Sequence, residues 1–421
     1  YAFYDLNSLQ NITVPASMTN MGLRVFDHCG ALTSVAFEDD CQLNYIRTDW
    51  FQYTPVQYIL NLPAVIRTIP VRGFYYVRSL RYLSFAKDSQ LQTISQSAFY
   101  DLDSLQNITF PASLSSLGYN SFNGCGALTS VSFEANSRMR YIGTSIFAYS
   151  GLKYLRLPAS LTSIPAHGFR LVGNLVNVTF EGNSQLTYIG SLSFYNLNSL
   201  QHITIPASVT RIDHWSFHSC GALTSVSFEL DSQLNYIGHH AFSYNEKLQS
   251  LRIPSSVTYM YDYSFMRVRS LTSFFFKADS QLGSLRYKVF SEVTSSLTMY
   301  VPPSITSIHR EAFSGATGFN VIFDAVSMTS VSVGDNIYRY TGTGNYRRMV
   351  CNGNVIESGV LLVSQVVPRI HDDSFKGCNS LTSIYFEADS ECLSIGENAF
   401  QDVTTLEEVV IPNSITQISD T

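Results

Sequence analysis

Leu200-Gln201-His202-Ile203-Thr204-Ile205-Pro206-Ala207-Ser208-Val209-Thr210-Arg211-Ile212 runs on to Ser216-Phe217-His218-Ser219-Cys220 and forms one unit of a repeat that fills most of this 421-residue chain. Apolar Ile203 and Ile205 alternate with polar His202 and Thr204, the period-2 pattern of a short strand with one buried face. Pro206 ends that strand, because it has no N–H to give to a ladder. The same shape recurs at Leu105, Ile108, Phe110 and Pro111, and again at Leu406, Val409, Ile411 and Pro412.

Aligned phenylalanines mark the repeat from Phe3 through Phe26, Phe51, Phe74, Phe99 and Phe122 to Phe313. The steps alternate between 23 and 25 residues, with one step of 22 from Phe147 to Phe169. The longer turns replace the proline segment with bends such as Phe133-Glu134-Ala135-Asn136-Ser137 and Phe228-Glu229-Leu230-Asp231-Ser232, so the true unit is a 48-residue pair. A period of this size with leucine and isoleucine at fixed offsets predicts a stacked solenoid in which each turn needs only its neighbours. The expected fold is an α/β-type repeat solenoid, mostly β and irregular. It is a curved coil of about 17 turns alternating 23 and 25 residues, with a parallel β-sheet on one face. The rhythm breaks between Phe313 and Phe375, where Tyr338 marks a degenerate turn. Asn352-Gly353, lying between Tyr346–Cys351 and Asn354–Ile356, predicts a protruding β-hairpin. The expected organisation is a solenoid over 1–325, a degenerate turn with an inserted hairpin over 326–366, and a continuation over 367–421.

Charged residues make up only 14% of the chain and the net charge is −6, which argues against nucleic acid as a partner. No run of about 18 apolar residues encodes a membrane span. The chain begins at Tyr1-Ala2-Phe3 and ends near Ile415-Thr416-Gln417-Ile418, both inside repeats, and so reads as a processed or incomplete product. Cys29, Cys125, Cys220 and Cys378 each stand three residues after a marker phenylalanine and read as small buried apolar side chains. Cys41, Cys351 and Cys392 are less regular, and no spacing suggests zinc.

The pattern Leu-x-x-Ile-x-Ile-Pro-x-Ser-Val-Thr-x-Ile followed by Phe-x-x-Cys, as it stands from Leu200 to Cys220, closely resembles the BspA-like leucine-rich repeat. The resemblance covers nearly the whole chain apart from roughly residues 326–366. It implies a leucine-rich-repeat coil, secreted or displayed on a cell surface, with a role in adhesion to proteins or cells. It carries no shared catalytic residues and no cofactor.

Phenylalanine recurs as core, so tyrosine carries the question of the surface. Of the outward strand positions, one column reads Asn11, Ser34, Tyr82, Asn107, Ser130, Asn177, His202 and Ser225. The next column ends in an aromatic run, Phe275, Tyr300 and Phe323, which suits stacking on a sugar or a partner's chain; the plainer role is stacking between turns. Tyr45, Tyr141, Tyr188 and Tyr236 form another column on alternate turns and suit lateral packing against another rod, or else stand as a solvated column of partly buried rings. Asn11-Ile12-Thr13, Asn107-Ile108-Thr109 and Asn177-Val178-Thr179 are glycosylation sequons at one outward strand position. Glu38, Glu134, Glu181 and Glu229 align after the strand phenylalanine, with Asp40, Asp88 and Asp231 near the next bend. That ladder suggests calcium less than turn chemistry. His202, His214, His218, His239 and His240 cluster loosely without a nucleophile at motif spacing, and no metal site is assigned.

Two readings compete. The first is a non-enzymatic extracellular or cell-surface protein that binds proteins or glycans along an extended repeat surface. The second is a structural protein that associates end to end into fibres or a surface layer, since head-to-tail contacts propagate unless they close.

Overall fold

Four alternating residues cannot hold a strand alone, because their backbone groups need partners that only a neighbouring turn supplies. The computed structural model describes residues 3–323, except for one or two at a time, and then 336–340, 346–350, 360–363, 369–370, 382–386 and 392–419. Their regular elements are strands, and among the described residues there is no helix. The second side of each turn offers only five or six residues between its proline or bend and its inward isoleucine, too few to nucleate a helix.

Two compact units, Tyr1–Ser232 and Gln233–Thr421, each carry the repeat. In the first, strands such as Tyr154–Leu157 and Asn177–Phe180 pair in parallel, with Tyr154 opposite Asn177 and Leu157 opposite Phe180. A second row of two-residue strands, among them Ser163–Ile164, Tyr188–Ile189 and Arg211–Ile212, pairs the same way. In the second unit, Ser250–Ile253, Ser273–Phe276, Leu297–Val301 and Phe319–Phe323 form a parallel run. Val360–Val363, Ser383–Phe386 and Glu408–Val409 form another. Among the described residues, fourteen strands of four or five residues precede residue 324, and Val360–Val363, Ser383–Phe386 and the two-residue Glu408–Val409 follow the interruption. About 14 turns therefore stand before the break; the 17 expected from sequence included the continuation.

Within the interruption, Asn336–Tyr340 pairs antiparallel with Tyr346–Val350, Arg339 facing Arg347. The partner of Tyr346–Val350 thus lies upstream of it, not beyond Asn352-Gly353. The intervening sequence Thr341-Gly342-Thr343-Gly344-Asn345 is itself a five-residue, glycine-containing hairpin signal, which the Asn-Gly dipeptide overshadowed. Residues 341–345 and 351–359 lie outside the described residues.

The core is a column of phenylalanine rings. Phe99 is fully buried between Phe74, 5.0 Å away, and Phe122, 4.9 Å away. Two residues to either side of it, Ser97 and Asp101 take φ of 53° and 62°. Left-handed backbone costs an L-residue roughly 1–2 kcal/mol. The cost is offset because this conformation turns the amides of Ser97, Phe99 and Asp101 onto the carbonyls of Tyr119, Ser121 and Asn123 in the next turn, at 3.1, 2.8 and 2.8 Å. The bend is a hydrogen-bonded ladder in its own right, which is why it repeats with such varied residues.

One strand carries an extra residue. Tyr58–Leu62 shifts register against Tyr82–Phe85 between Ile59 and Leu62, with Asn61 at φ 60°. Asn61 holds this bulge by donating its side-chain amide to the Phe37 carbonyl at 3.1 Å and to Asp39 at 2.8 Å.

Cys29, Cys41, Cys125, Cys220 and Cys392 are buried and form no disulfide among the described residues. The Cys125 and Cys220 thiols donate to the carbonyls of Phe99 and Phe194 at 3.0 and 3.1 Å. Burial pushes both thiols up to about 12. Since only the thiolate is nucleophilic, iodoacetamide at about pH 8 should leave both unmodified in the folded chain and alkylate them in denaturant. Mass spectrometry of the labelled peptides checks this; native labelling at the rate of a free thiol would show that the bends open.

Candidate functional site

Alternation sends every second residue of the long strands to the outside of the sheet. In the first unit that face is mostly small and polar: Thr109 meets Ser132 at 2.8 Å and Thr204 meets Ser227 at 2.8 Å. Against this background stand a few aromatics. Tyr82 is 48% exposed and lies in register with Tyr58, which is 41% exposed. Tyr154 is 64% exposed, between Ser130 on one side and Asn177 on the other. Spacing along the sequence picks out Tyr82 and misses Tyr58 and Tyr154. The outward position falls eight residues after most marker phenylalanines, but seven after Phe51 and Phe147. A shortened bend shifts the frame there: Tyr58 and Tyr154 follow Ser34 and Ser130 by 24 residues, a step that neither the 23- nor the 25-residue period supplies.

Asn177, Thr179, His202, Thr204 and Glu229 line a shallow concavity of ≈ 300 Å³ on this face. His202 shares a hydrogen bond with Ser225, Nδ1 to Oγ at 2.8 Å, so the ring is held in place. The three sequon asparagines, Asn11, Asn107 and Asn177, each begin a long strand; the first two are exposed and Asn177 is half-buried. A glycan on Asn177 would fill the concavity beside His202.

In the second unit, Phe275 is exposed and the Arg252 guanidinium lies 5.7 Å from its ring centre. Tyr300 pairs opposite Phe275. Phe323, expected to extend this outward run, pairs instead with Val301, which is buried, while Ile322 lies opposite Tyr300. The backbone of Phe323 therefore holds the register of Val301: Phe319–Phe323 is aligned by the backbone ladder, not by its aromatic. The side chains of Tyr300 and Phe323 lie outside the described residues.

The tyrosine column of alternate turns is not uniform. Tyr141 is exposed, and its backbone pairs with Ser116. The Tyr45 hydroxyl is tied to Asn20 and donates to the Met21 carbonyl at 3.1 Å. The Tyr188 hydroxyl donates to Asp213 at 2.7 Å, and Tyr236 packs against Tyr261 at 4.9 Å. Three of the four rings are half-buried, with their polar tips or faces engaged by adjoining turns.

The carboxylate ladder has a structural use. Glu38, Glu134, Glu181 and Glu229 accept the amide N–H of Ala16, Ala112, Ala159 and Ala207 in the preceding turn, at 2.9, 2.9, 3.1 and 2.9 Å. Each such bond caps the bend after a strand-ending proline and joins the two halves of the 48-residue pair. Asp40, Asp88 and Asp231 take φ of 59°, 59° and 56°, a conformation that Asp and Asn tolerate better than most. Buried Asp213 accepts Tyr188 and the His214 amide at 2.7 and 2.9 Å, with Arg211 at 3.2 Å. Burial alone would raise its carboxyl; these donors and charges outweigh it and hold the group below the usual carboxylate range. The ring of His218 stacks on Tyr195 at 5.3 Å. Among the described residues no group of three His, Cys, Asp or Glu is placed to hold a metal ion. Likewise, no helix there is long and apolar enough to cross a membrane.

The family model described as BspA type leucine rich repeat region matches in six copies, over residues 1–92, 67–186, 92–224, 217–341 and 361–421. No curated protein matches the chain. Among solved structures, it is similar to the pneumococcal vaccine antigen PcpA at 19% identity and a TM-score of 0.40, over 90% of this chain and 89% of that one. A leucine-rich repeat protein of Bacteroides ovatus is similar at 17% identity and 0.41, over 91% and 93%. One of Eubacterium ventriosum is similar at 20% identity and 0.39, over 74% and 84%.

Proposed function

The chain belongs to the BspA-type leucine-rich repeat family, and from that premise we propose that it is a non-enzymatic binding protein of the cell surface or extracellular space, recognising protein partners along the outward face of its long-strand sheet. The observation that carries this reading is the set of exposed tyrosines, Tyr58, Tyr82 and Tyr154, standing on hydrogen-bonded strands among small polar neighbours. Tyrosine offers a large contact area with few rotors to immobilise, and strands hold it where it will be used, so little entropy is lost on binding. Adhesion is the role this surface fits.

The test uses the full chain with these three tyrosines replaced, Tyr58→Ser, Tyr82→Ser and Tyr154→Ser, applied to intact cells in a saturation-binding assay. Affinity should fall about tenfold or more, as expected when exposed aromatic anchors are lost, while the melting temperature stays within a few degrees. Saturable binding unchanged by the triple substitution would overturn the assignment of this face. Ordered filaments in electron micrographs of the same preparations, with no cell binding, would favour the structural-protein reading instead.

A further inference from the structure

One position of the repeat ranges from glycine to large polar side chains. Immediately after the inward residue of the two-residue strands, several turns of the first unit carry glycine: Gly118, Gly143 and Gly190. A Cβ at these positions would lie 2.6 Å from the amide nitrogen of Gln96, 2.3 Å from that of Tyr119 and 2.6 Å from that of Ala166. No side chain fits against the adjoining turn there. On three successive turns of the second unit the same position holds Tyr261, Arg286 and His309, following Tyr259–Met260, Ser284–Leu285 and Ser307–Ile308. Pro70, Ser95, Pro165 and Asp213 take this position on other turns of the first unit, and Gly238 opens the second unit with glycine, so Tyr261, Arg286 and His309 stand out as three consecutive large, polar-tipped side chains.

These side chains make a defined patch. The Arg286 guanidinium lies over the Tyr261 ring, 4.4 Å from its centre. Tyr261 in turn meets Tyr236 at 4.9 Å, His239 at 5.0 Å and Tyr259 at 6.3 Å, and Tyr259 is 51% exposed. Arg267 and Arg269, two residues apart on one turn, are both paired with Glu292 of the next, at 2.6 and 4.0 Å. Arg286 has no carboxylate within ion-pair distance among the described residues.

We propose that the Tyr259–Tyr261–Arg286 patch binds an acidic saccharide, a sialic or uronic acid residue. The chemistry follows from what the patch offers. Tyrosine faces take the C–H face of a sugar ring, while phenol and imidazole tips reach its hydroxyls. A guanidinium seated over an aromatic ring, with no carboxylate paired to it among the described residues, can give its fork to the two parallel N–H···O bonds that a carboxylate accepts. The chain's net charge of −6 does not draw anions in general, so selection has to come from this local geometry. The patch shares no residue with the outward sheet face of the first unit, and either assignment can fail without the other.

Saturation-transfer NMR on the full chain, with sialyllactose and trigalacturonate as probes and lactose as the neutral control, tests this. Transfer to one or both acidic probes with lactose silent is expected, and which of them responds identifies the sugar. Arg286→Ala should weaken that binding about tenfold or more, and Arg286→Lys, which keeps the charge and loses the fork, should not fully restore it. Tyr259→Ala, an exposed position, should also weaken it and keeps the test open if Arg286→Ala fails to fold. Equal transfer to lactose overturns the proposal, and so does binding indifferent to Arg286→Ala. Silence of both acids at about 10 mM overturns it too, and is what a protein-binding surface would give.

Discussion

Phe99→Ala is expected to remove about 3–5 kcal/mol of stability, the range for deleting a fully buried aromatic whose surroundings cannot collapse. Collapse is blocked by particular contacts. The ring is stacked between Phe74 and Phe122 at 5.0 and 4.9 Å, and the backbone beneath it is tied on both sides. Its amide donates to the Ser121 carbonyl at 2.8 Å, and its carbonyl accepts the Cys125 thiol at 3.0 Å. Phe99→Leu keeps most of the volume and should cost only about 1–1.5 kcal/mol. Urea unfolding of the two variants separates these values. Because turns depend on their neighbours, the alanine variant should also loosen the bends at Phe74 and Phe122, seen as faster amide exchange there. A loss below about 1 kcal/mol would show that the ring column fills space without holding the turns together.

Gly143→Ala is expected to be about as damaging as removing a core methyl group or more, roughly 1–3 kcal/mol. A Cβ there would lie 2.3 Å from the Tyr119 nitrogen and 2.5 Å from the Gly118 carbonyl carbon. Those are backbone atoms, which cannot swing aside. Gly143 cannot retreat either, because its own amide donates to Leu117 at 2.7 Å. Gly173→Ala is the matched comparison: nothing lies within 4 Å of its Cβ position. That substitution should be neutral or stabilising by about 0.4–1 kcal/mol, through the reduced freedom of the unfolded chain. Thermal unfolding of the pair checks the difference. Equal melting temperatures would mean that the turns can slide apart at Gly143.

The spacing of the phenylalanines, the alternation in segments such as Ile203-Thr204-Ile205, and the prolines after them make the solenoid legible in the amino-acid order. These signals are local: a strand of four residues announces its buried face by period, and a proline announces its end. The buried role of Cys125 and Cys220 is legible for the same reason. The hairpin partner of Tyr346–Val350 is not, because two adjacent turn signals of similar strength compete and only strand pairing selects between them. The candidate surface is legible only in part. Tyr82 and Phe275 are found by offset, whereas Tyr58 and Tyr154 are hidden by bends one residue shorter than the rest.

The amino-acid sequence by itself determined the period, the inward columns, the family and the absence of a long apolar run, all of which depend on residues within one turn or on its repetition. Tertiary structure decided what lies beside what. It put Tyr58 against Tyr82, moved Phe323 into the register of Val301, gave the glutamates to the amides of the preceding turn, and laid Arg286 on Tyr261. The physical reason is that neighbouring turns are aligned by a backbone hydrogen-bond ladder, which a bulge or a shortened bend moves by one residue. A one-residue slip exchanges the inner and outer faces of a strand, and no single turn of sequence carries that information.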